Sequence, residues 1–205
     1  MQQDSALITF VLDESGSMGR IAQAARDGFN EYLEEQVAHG GQTWWTLTTF
    51  ANHPRTRFAV IPGTEVRPLG VDYSPNGMTA LYDAVGRSVT KTQAYLETLG
   101  ENRPSDVIVV ILTDGMENAS QRWTARQVFD LITEAEDSGW QFVFLGANQD
   151  SWSVAQNMGI RKGAVVDWAP NPRSYKRAMA DAAYATSDYR REKKQQARYR
   201  DRRDQ

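Results

Sequence analysis

Two runs of branched apolar residues dominate the pattern of hydrophobic and polar positions. The first covers residues 6–12 and the second covers residues 107–112. Strands that are buried on both faces, as in the middle of a parallel sheet, show such continuous runs instead of alternation. Each run ends in polar residues, so we expect two central strands whose carboxyl ends lead into polar loops.

Apolar residues that recur at helical spacing predict helices over about residues 21–38 and 79–99. A third helix is predicted to begin at Thr124, because Gln127 three residues later is typical of a capping box. A short helix is expected over residues 151–158. Helices therefore follow most of the expected strands along the chain.

Four shorter segments are expected to complete the sheet, over residues 43–51, 56–61, 140–145 and 164–168. The turn between the first two is too short for a parallel crossover, so they should pair in antiparallel fashion, with 56–61 at the sheet edge. Strand and helix otherwise alternate. The pattern predicts a doubly wound α/β fold, with a mostly parallel sheet of about six strands, one antiparallel edge strand and helices on both faces.

The chain of 205 residues is long enough for one domain, expected over residues 1–172, followed by a C-terminal helix with a basic tail over 173–205. Apolar side chains at helical spacing from Tyr175 to Thr186 predict that the first part of this helix packs on the body. From Arg190 the apolar stripe fades, which favours a solvated, partly frayed helix end.

Oxygen-bearing side chains follow the first strand at a spacing of two residues. These are Asp13, Ser15 and Ser17, and the intervening Gly16 allows the backbone to curl so that they converge. Ligands in open α/β sheets bind beyond the carboxyl ends of the strands. Carboxylates and hydroxyls suit Mg²⁺, Mn²⁺ or Ca²⁺ rather than zinc or copper.

Two other segments supply oxygens at the same expected end of the sheet. Thr79 follows a turn rich in Pro, Asn and Gly, and Asp114 comes after the second central strand. We expect Asp13 and Asp114 to lie on surface loops. Without these two segments, the first loop would be better interpreted as a serine-rich cap of the next helix.

The segments DESGS, GMTALYDA and LTDG resemble, in this order, the three loops of the von Willebrand factor A (VWA) domain. The resemblance covers about residues 5–170 and is closest to the small, stand-alone intracellular type of bacteria and phages. It implies an intact metal-ion-dependent adhesion site that holds Mg²⁺ and grips an Asp or Glu of a protein partner. The five positions of that site match Asp13, Ser15, Ser17, Thr79 and Asp114.

Six further residues are candidates for the rim or outer shell of such a site. Asn148, Gln149 and Asp150 follow the strand predicted over 140–145, although they are equally suited to capping the next helix. The other three candidates follow Asp114 and are Glu117, Asn118 and Trp123. Ordinary loop polarity explains Glu117 and Asn118 equally well.

Enzymatic alternatives find less support in the motifs. A phosphatase of the haloacid dehalogenase type carries Asp-x-Asp, whereas the second position here is Ser15. The segment around Ser17 is one residue short of Gly-x-Ser-x-Gly, and no Gly-rich phosphate loop with lysine occurs. A metal-dependent phosphoester hydrolase stays open as the alternative to a binding module, because a bound ion can activate water.

Composition and charge limit the kinds of site, the cellular location and the partners that we expect for this protein. The absence of cysteine excludes disulfides and thiolate metal sites, and the lack of a signal peptide or long apolar span favours a cytoplasmic protein without membrane contact. The formal charge is −3, but the last 16 residues carry +5 and the rest −8. Self-association with an acidic surface or nucleic-acid binding is therefore open for the basic residues Arg190, Arg191, Lys193, Lys194, Arg198, Arg200, Arg202 and Arg203.

Overall fold

The computed structural model describes residues 2–147, 151–161 and 164–201, and for residues 2, 3, 151 and 195–201 it describes the backbone only. Its strands are β1 (Gln2–Asp13), β2 (Gln42–Phe50), β3 (Pro54–Pro62), β4 (Pro104–Thr113), β5 (Gln141–Ala147) and β6 (Val165–Trp168). Its α-helices are α1 (Ala22–Ala38), α2 (Leu81–Leu99), α3 (Ala125–Asp137), α4 (Ser151–Asn157) and α5 (Pro172–Asp201).

The strands form one sheet in the order β3-β2-β1-β4-β5-β6. All neighbouring pairs are parallel except β2 and β3, which pair in antiparallel fashion and leave β3 at the edge. This arrangement confirms the predicted doubly wound sheet and its antiparallel edge strand. The chain leaves β1 toward β2 on one side and later returns to β4 on the other side, so the strand order switches between β1 and β4.

The alternation of side chains along β1 creates two cores, one on each face of the sheet. Phe10 and Leu12 face α1 and α5, whereas Leu7 and Val11 face α2, α3 and α4. All four side chains are buried. Burial on both faces explains why the sequence of this strand is continuously apolar.

The sequence predicts where two of the helices begin, and the structure agrees with one of these predictions. The capping box is confirmed, because the Thr124 side chain accepts from Gln127 N and the Gln127 side chain accepts from Thr124 N. The helix predicted to begin at Thr79 begins at Leu81 instead. The backbone N–H groups of Thr79 and Ala80 are bonded to Asn118 Oδ1 and to Ala51 O, which holds both residues outside the helix.

Helix α5 packs along α1 through its first half. Tyr175, Met179, Ala182 and Ala183 are buried, as the sequence predicts. Tyr32 on α1 adds a buried hydrogen bond of 2.8 Å between its hydroxyl and Thr186 Oγ1. Neither this helix nor any other in the described part of the chain combines the length and the apolar character needed to cross a membrane.

The expectation of a solvated helix from Arg190 onward is wrong for three basic residues. Arg190 is 3% exposed and donates to the backbone oxygens of Gln36 at 2.9 Å and Gly40 at 2.8 Å. Lys193 and Lys194 form ion pairs with carboxylates of β4 and β1. These three cations therefore bind the body of the protein. The side chains of Arg198, Arg200, Arg202 and Arg203 lie outside the described residues.

Candidate metal centre

The carboxyl ends of β1 and β4 lie side by side at the point where the strand order switches. The parallel register pairs Leu12 with Leu112, so Asp13 lies beside Thr113 and close to Asp114. Loops that follow neighbouring parallel strands leave the same edge of a sheet and enclose a crevice there. Both sequence-predicted carboxylates are thus brought to one crevice.

Asp13 is the last residue of β1 and is fully buried. Its Oδ1 accepts from Ser15 N at 2.7 Å, and its Oδ2 accepts from Thr113 Oγ1 at 2.6 Å. Its backbone oxygen accepts from the Tyr73 hydroxyl at 2.5 Å. The expectation that Asp13 lies on a surface loop is therefore wrong, because the strand carries it into the floor of the crevice.

A chain of hydrogen bonds joins the first loop to the loop after β4. Ser15 Oγ lies 3.1 Å from Ser17 Oγ, and Ser17 Oγ donates to Asp114 Oδ1 at 2.5 Å. Ser15 is 1% exposed, whereas Ser17 and Asp114 are partly exposed. The oxygens therefore extend from the buried floor of the crevice to its surface.

Thr79 approaches the same crevice from the loop before α2. Its N–H donates to Asn118 Oδ1 at 2.8 Å, and its backbone oxygen accepts from Asn118 N at 3.0 Å. A Cβ placed on Gly115 would lie 2.9 Å from Thr79 Oγ1 and 3.6 Å from Ser17 Oγ. Glycine at position 115 therefore allows these two hydroxyls to face the same small space. We call the side chains of Asp13, Ser15, Ser17, Thr79 and Asp114 the oxygen cluster.

The electrostatics of the oxygen cluster favour a cation. Burial raises the pKa of Asp13 from its ordinary value of 3.8 to about 6, against the hydrogen bonds from Thr113 and Ser15, and the Asp114 carboxylate raises it further. Burial also raises the pKa of Asp114, while the hydrogen bond from Ser17 lowers it. Two neighbouring carboxylates in a partly dry crevice thus lack a positive counter-charge within the cluster.

The donor set fits a hard divalent ion. It offers two carboxylates and three hydroxyls, and Mg²⁺ binds oxygen ligands while it usually keeps several waters. Nowhere among the described residues do three or more carboxylate, imidazole or thiolate groups gather as a metal site. A metal at the switch point would therefore depend on the hydroxyls of Ser15, Ser17 and Thr79 as well as on the two carboxylates.

The structure places the predicted rim residues in different roles. Glu117 accepts from Tyr82 N at the start of α2 and from three donors in its own loop, so it caps and folds these segments. Asn118 braces Thr79 as described above. Trp123 packs against Gly86 of α2, where a Cβ would lie 2.2 Å from its ring. Asn148, Gln149 and Asp150 lie outside the described residues.

Three residues that support the oxygen cluster were not recognised from the sequence. Thr113 directly precedes Asp114, and the sequence analysis did not single it out. The register of two parallel strands is the signal that would have placed its hydroxyl beside Asp13. Tyr73 and Asn52 reach the site from distant loops, and no local pattern marks them. Asn52 Oδ1 accepts from Met78 N at 2.7 Å, which positions the residue before Thr79.

Comparisons with known proteins rest on structure alone. No protein-family model matches this sequence, and no curated protein matches it either. The vWF domain of the type V pili tip protein Mfa5 from Porphyromonas gingivalis superposes with a TM-score of 0.64 at 9% identity, over 90% of this chain and 95% of that chain. The chain has the VWA fold.

Two larger proteins contain the same VWA fold. Proximal thread matrix protein 1 from the mussel byssus matches with a TM-score of 0.62 at 19% identity, over 90% of this chain and 47% of that chain. The pilus adhesin SpaC from Lactobacillus rhamnosus GG matches with a TM-score of 0.64 at 16% identity, over 91% of this chain and 30% of that chain. This chain thus spans about half the length of the mussel protein. Similarity at these identities concerns the VWA fold and not the roles of particular residues.

Proposed function

We propose that this protein is a metal-dependent protein-binding module, which grips an Asp or Glu side chain of a partner through a divalent ion held by the oxygen cluster. The observation that carries the proposal is the convergence of two carboxylates and three hydroxyls at the switch point of the sheet. Mg²⁺ is the ion we expect, with Mn²⁺ or Ca²⁺ as alternatives.

Each part of the oxygen cluster has a distinct role in this proposal. The buried Asp13, oriented by Thr113 and Ser15 N, anchors the floor of the site. Ser17, Thr79 and Asp114 complete the ligand set toward solvent. A bound ion would supply a positive charge and a coordination position that a partner carboxylate can occupy.

The surface around the oxygen cluster supports a protein partner. Met78 directly precedes Thr79 and is 53% exposed, and Met116 directly follows Gly115 and is 72% exposed. Exposed methionines adapt to varied apolar surfaces, and they recur at binding surfaces that accept several partners. Two of the similar structures, a pili tip protein and a pilus adhesin, agree with an adhesive use of this fold.

Selection from a random peptide display library tests the proposal. Peptides bound to the wild type in Mg²⁺ are eluted with EDTA, and Asp114→Asn serves as the site variant. Asp130→Asn is the matched control, because it removes an exposed carboxylate on α3 whose one ion-pair partner among the described residues is Arg126. We expect the wild type and the control, but not Asp114→Asn, to enrich peptides that share an Asp or Glu.

Two results would contradict the proposal. Enriched peptides that lack acidic residues, or that resist EDTA, would show that recognition does not use a metal-bound carboxylate. Turnover of generic phosphoester substrates in Mg²⁺ or Mn²⁺ that disappears in Asp114→Asn but not in Asp130→Asn would instead support the hydrolase alternative.

A further inference from the structure

We propose that a basic pocket beside the metal centre binds a second acidic side chain of the same partner, so that recognition requires two carboxylates. The inference rests on the proposed function, since the first carboxylate is the one at the oxygen cluster. The basic pocket has a volume of about 400 Å³, and its lining includes His53, Asp83, Arg87, Lys91, Arg122 and Trp123.

The net charge of the basic pocket is positive, because its described lining holds three cations against the one carboxylate of Asp83. None of Arg87, Lys91 and Arg122 forms an ion pair with a described residue, and Arg87 Nε is buried without a hydrogen-bond partner in the described part of the chain. Such a donor costs free energy until an acceptor satisfies it. The three cations lie in a body whose net charge up to residue 189 is −8, so their grouping is not a consequence of overall composition.

Asp83, the one carboxylate among the described residues that line the basic pocket, already accepts hydrogen bonds from the backbone. Asp83 accepts from the backbone N–H groups of Gln121, Arg122 and Trp123 at 2.9–3.1 Å. Burial alone would raise the pKa of Asp83, but these hydrogen bonds, together with the positive charge of Arg122, outweigh it and lower the pKa. Asp83 therefore organises the loop that carries Arg122, and its oxygens are directed at the backbone rather than at the arginine side chains.

The basic pocket adjoins the metal centre through two connections. His53 follows Asn52, whose side chain holds Met78 next to Thr79. Arg87 follows the first residue of α2 by six positions, which corresponds to about 9 Å along the helix axis. An extended chain covers this distance with about three residues. A partner segment with two acidic residues about three positions apart would therefore span the distance from the start of α2, two residues after Thr79, to Arg87.

Geometry favours an acidic peptide over a nucleic acid as the occupant. The Trp123 ring packs one face against Gly86, which leaves only its other face for stacking of a base. Nucleotide binding without sequence preference relies on such stacking together with positive charge. The metal centre next to the pocket is itself suited to a carboxylate, and one acidic segment satisfies both sites.

Binding of fluorescently labelled hexaglutamate, measured by anisotropy, tests the inference. The protein variants are Arg87→Gln, Lys91→Glu and, as matched control, Arg126→Gln on α3, and each is measured in Mg²⁺ and in EDTA. We expect Arg87→Gln and Lys91→Glu to weaken binding about tenfold in both conditions, as the loss of a charged hydrogen bond or charge pair implies. The control should stay within about twofold, because Arg126 pairs with Asp130 and does not line the basic pocket.

The outcomes separate this inference from the proposed function. If Mg²⁺ fails to strengthen binding but Arg87→Gln still weakens it, the basic pocket is supported and the metal-dependent function is not. If Mg²⁺ strengthens binding and both pocket variants behave like Arg126→Gln, the basic pocket is refuted. Tighter binding of a 12-nucleotide single strand, lost in the same variants, would also overturn the acidic-peptide assignment. Because Lys91 is exposed, Lys91→Glu remains informative even if Arg87→Gln destabilises the fold.

Discussion

Asp13→Asn should stabilise the protein at neutral pH in the absence of divalent ions. The folded state raises the pKa of Asp13 from 3.8 to about 6, so ionisation of this carboxyl opposes folding. A change of that size corresponds to about 3 kcal/mol. In Asp13→Asn, the amide oxygen can still accept from Ser15 N. The amide NH₂ group can donate to Thr113 Oγ1, because the Thr113 hydroxyl can in turn donate to Gly115 O, which lies 3.1 Å away.

The direction of the pH dependence follows from proton linkage. Below pH 3.8 the carboxyl is protonated in both states and the penalty is absent. Between pH 3.8 and 6 the folded state binds more protons than the unfolded state, so stability falls as pH rises. Above pH 6 the penalty is complete. The wild type should therefore lose about 2.4 kcal/mol relative to Asp13→Asn between pH 4 and 7, since part of the penalty is already present at pH 4.

Urea unfolding followed by tryptophan fluorescence, in EDTA from pH 4 to 7.5, measures this difference. Asp83→Asn is the control of opposite sign, because the pKa of Asp83 is lowered in the folded state and its contribution is lost as pH falls. Equal pH slopes for the wild type and Asp13→Asn would refute the reasoning. Mg²⁺ at 100 times its Kd should stabilise the wild type by about 2.7 kcal/mol and should have little effect on Asp13→Asn.

Two further substitutions test the site and the C-terminal helix. Gly115→Ala should weaken Mg²⁺ binding in calorimetry, because its Cβ would lie 2.9 Å from Thr79 Oγ1. Gly19→Ala is the control and should leave the Mg²⁺ affinity unchanged, because no atom lies within 4 Å of its Cβ. Equal Mg²⁺ affinities of the two variants would contradict the geometry. Arg190→Ala should lower the free energy of unfolding by about 3 kcal/mol through the loss of a buried, hydrogen-bonded cation. The exposed neighbour Arg191→Ala should change it by less than about 1 kcal/mol, and similar losses in both variants would rule out a structural role for Arg190.

Local patterns in the sequence were sufficient for most of the fold. The continuous apolar runs predicted β1 and β4 as central strands, and the short turn before β3 predicted the antiparallel edge; that β1 and β4 are neighbours is seen in the structure. These features depend on spacing within about 20 residues and on burial of whole faces. The same patterns also placed Asp13 and Asp114 at one end of the sheet, because parallel strands share the direction of their carboxyl ends.

Supporting contacts could not be predicted in the same way. Tyr73 bonds a residue 60 positions away, and Thr113 bonds one 100 positions away. Nothing near Tyr73 in sequence distinguishes it from an ordinary loop residue. Arg190 looked like the start of a charged tail, yet its guanidinium fills a buried position against α1.

The sequence by itself thus determined the strands, the helices and the side chains that carry the candidate chemistry. Tertiary structure alone decided how deeply Asp13 is buried, that Glu117 accepts from the first turn of α2, and that Arg87, Lys91 and Arg122 share one pocket. The physical reason is the range of the interactions. Periodic burial acts between near neighbours along the chain, whereas desolvation and hydrogen bonding depend on which distant segments the sheet brings together.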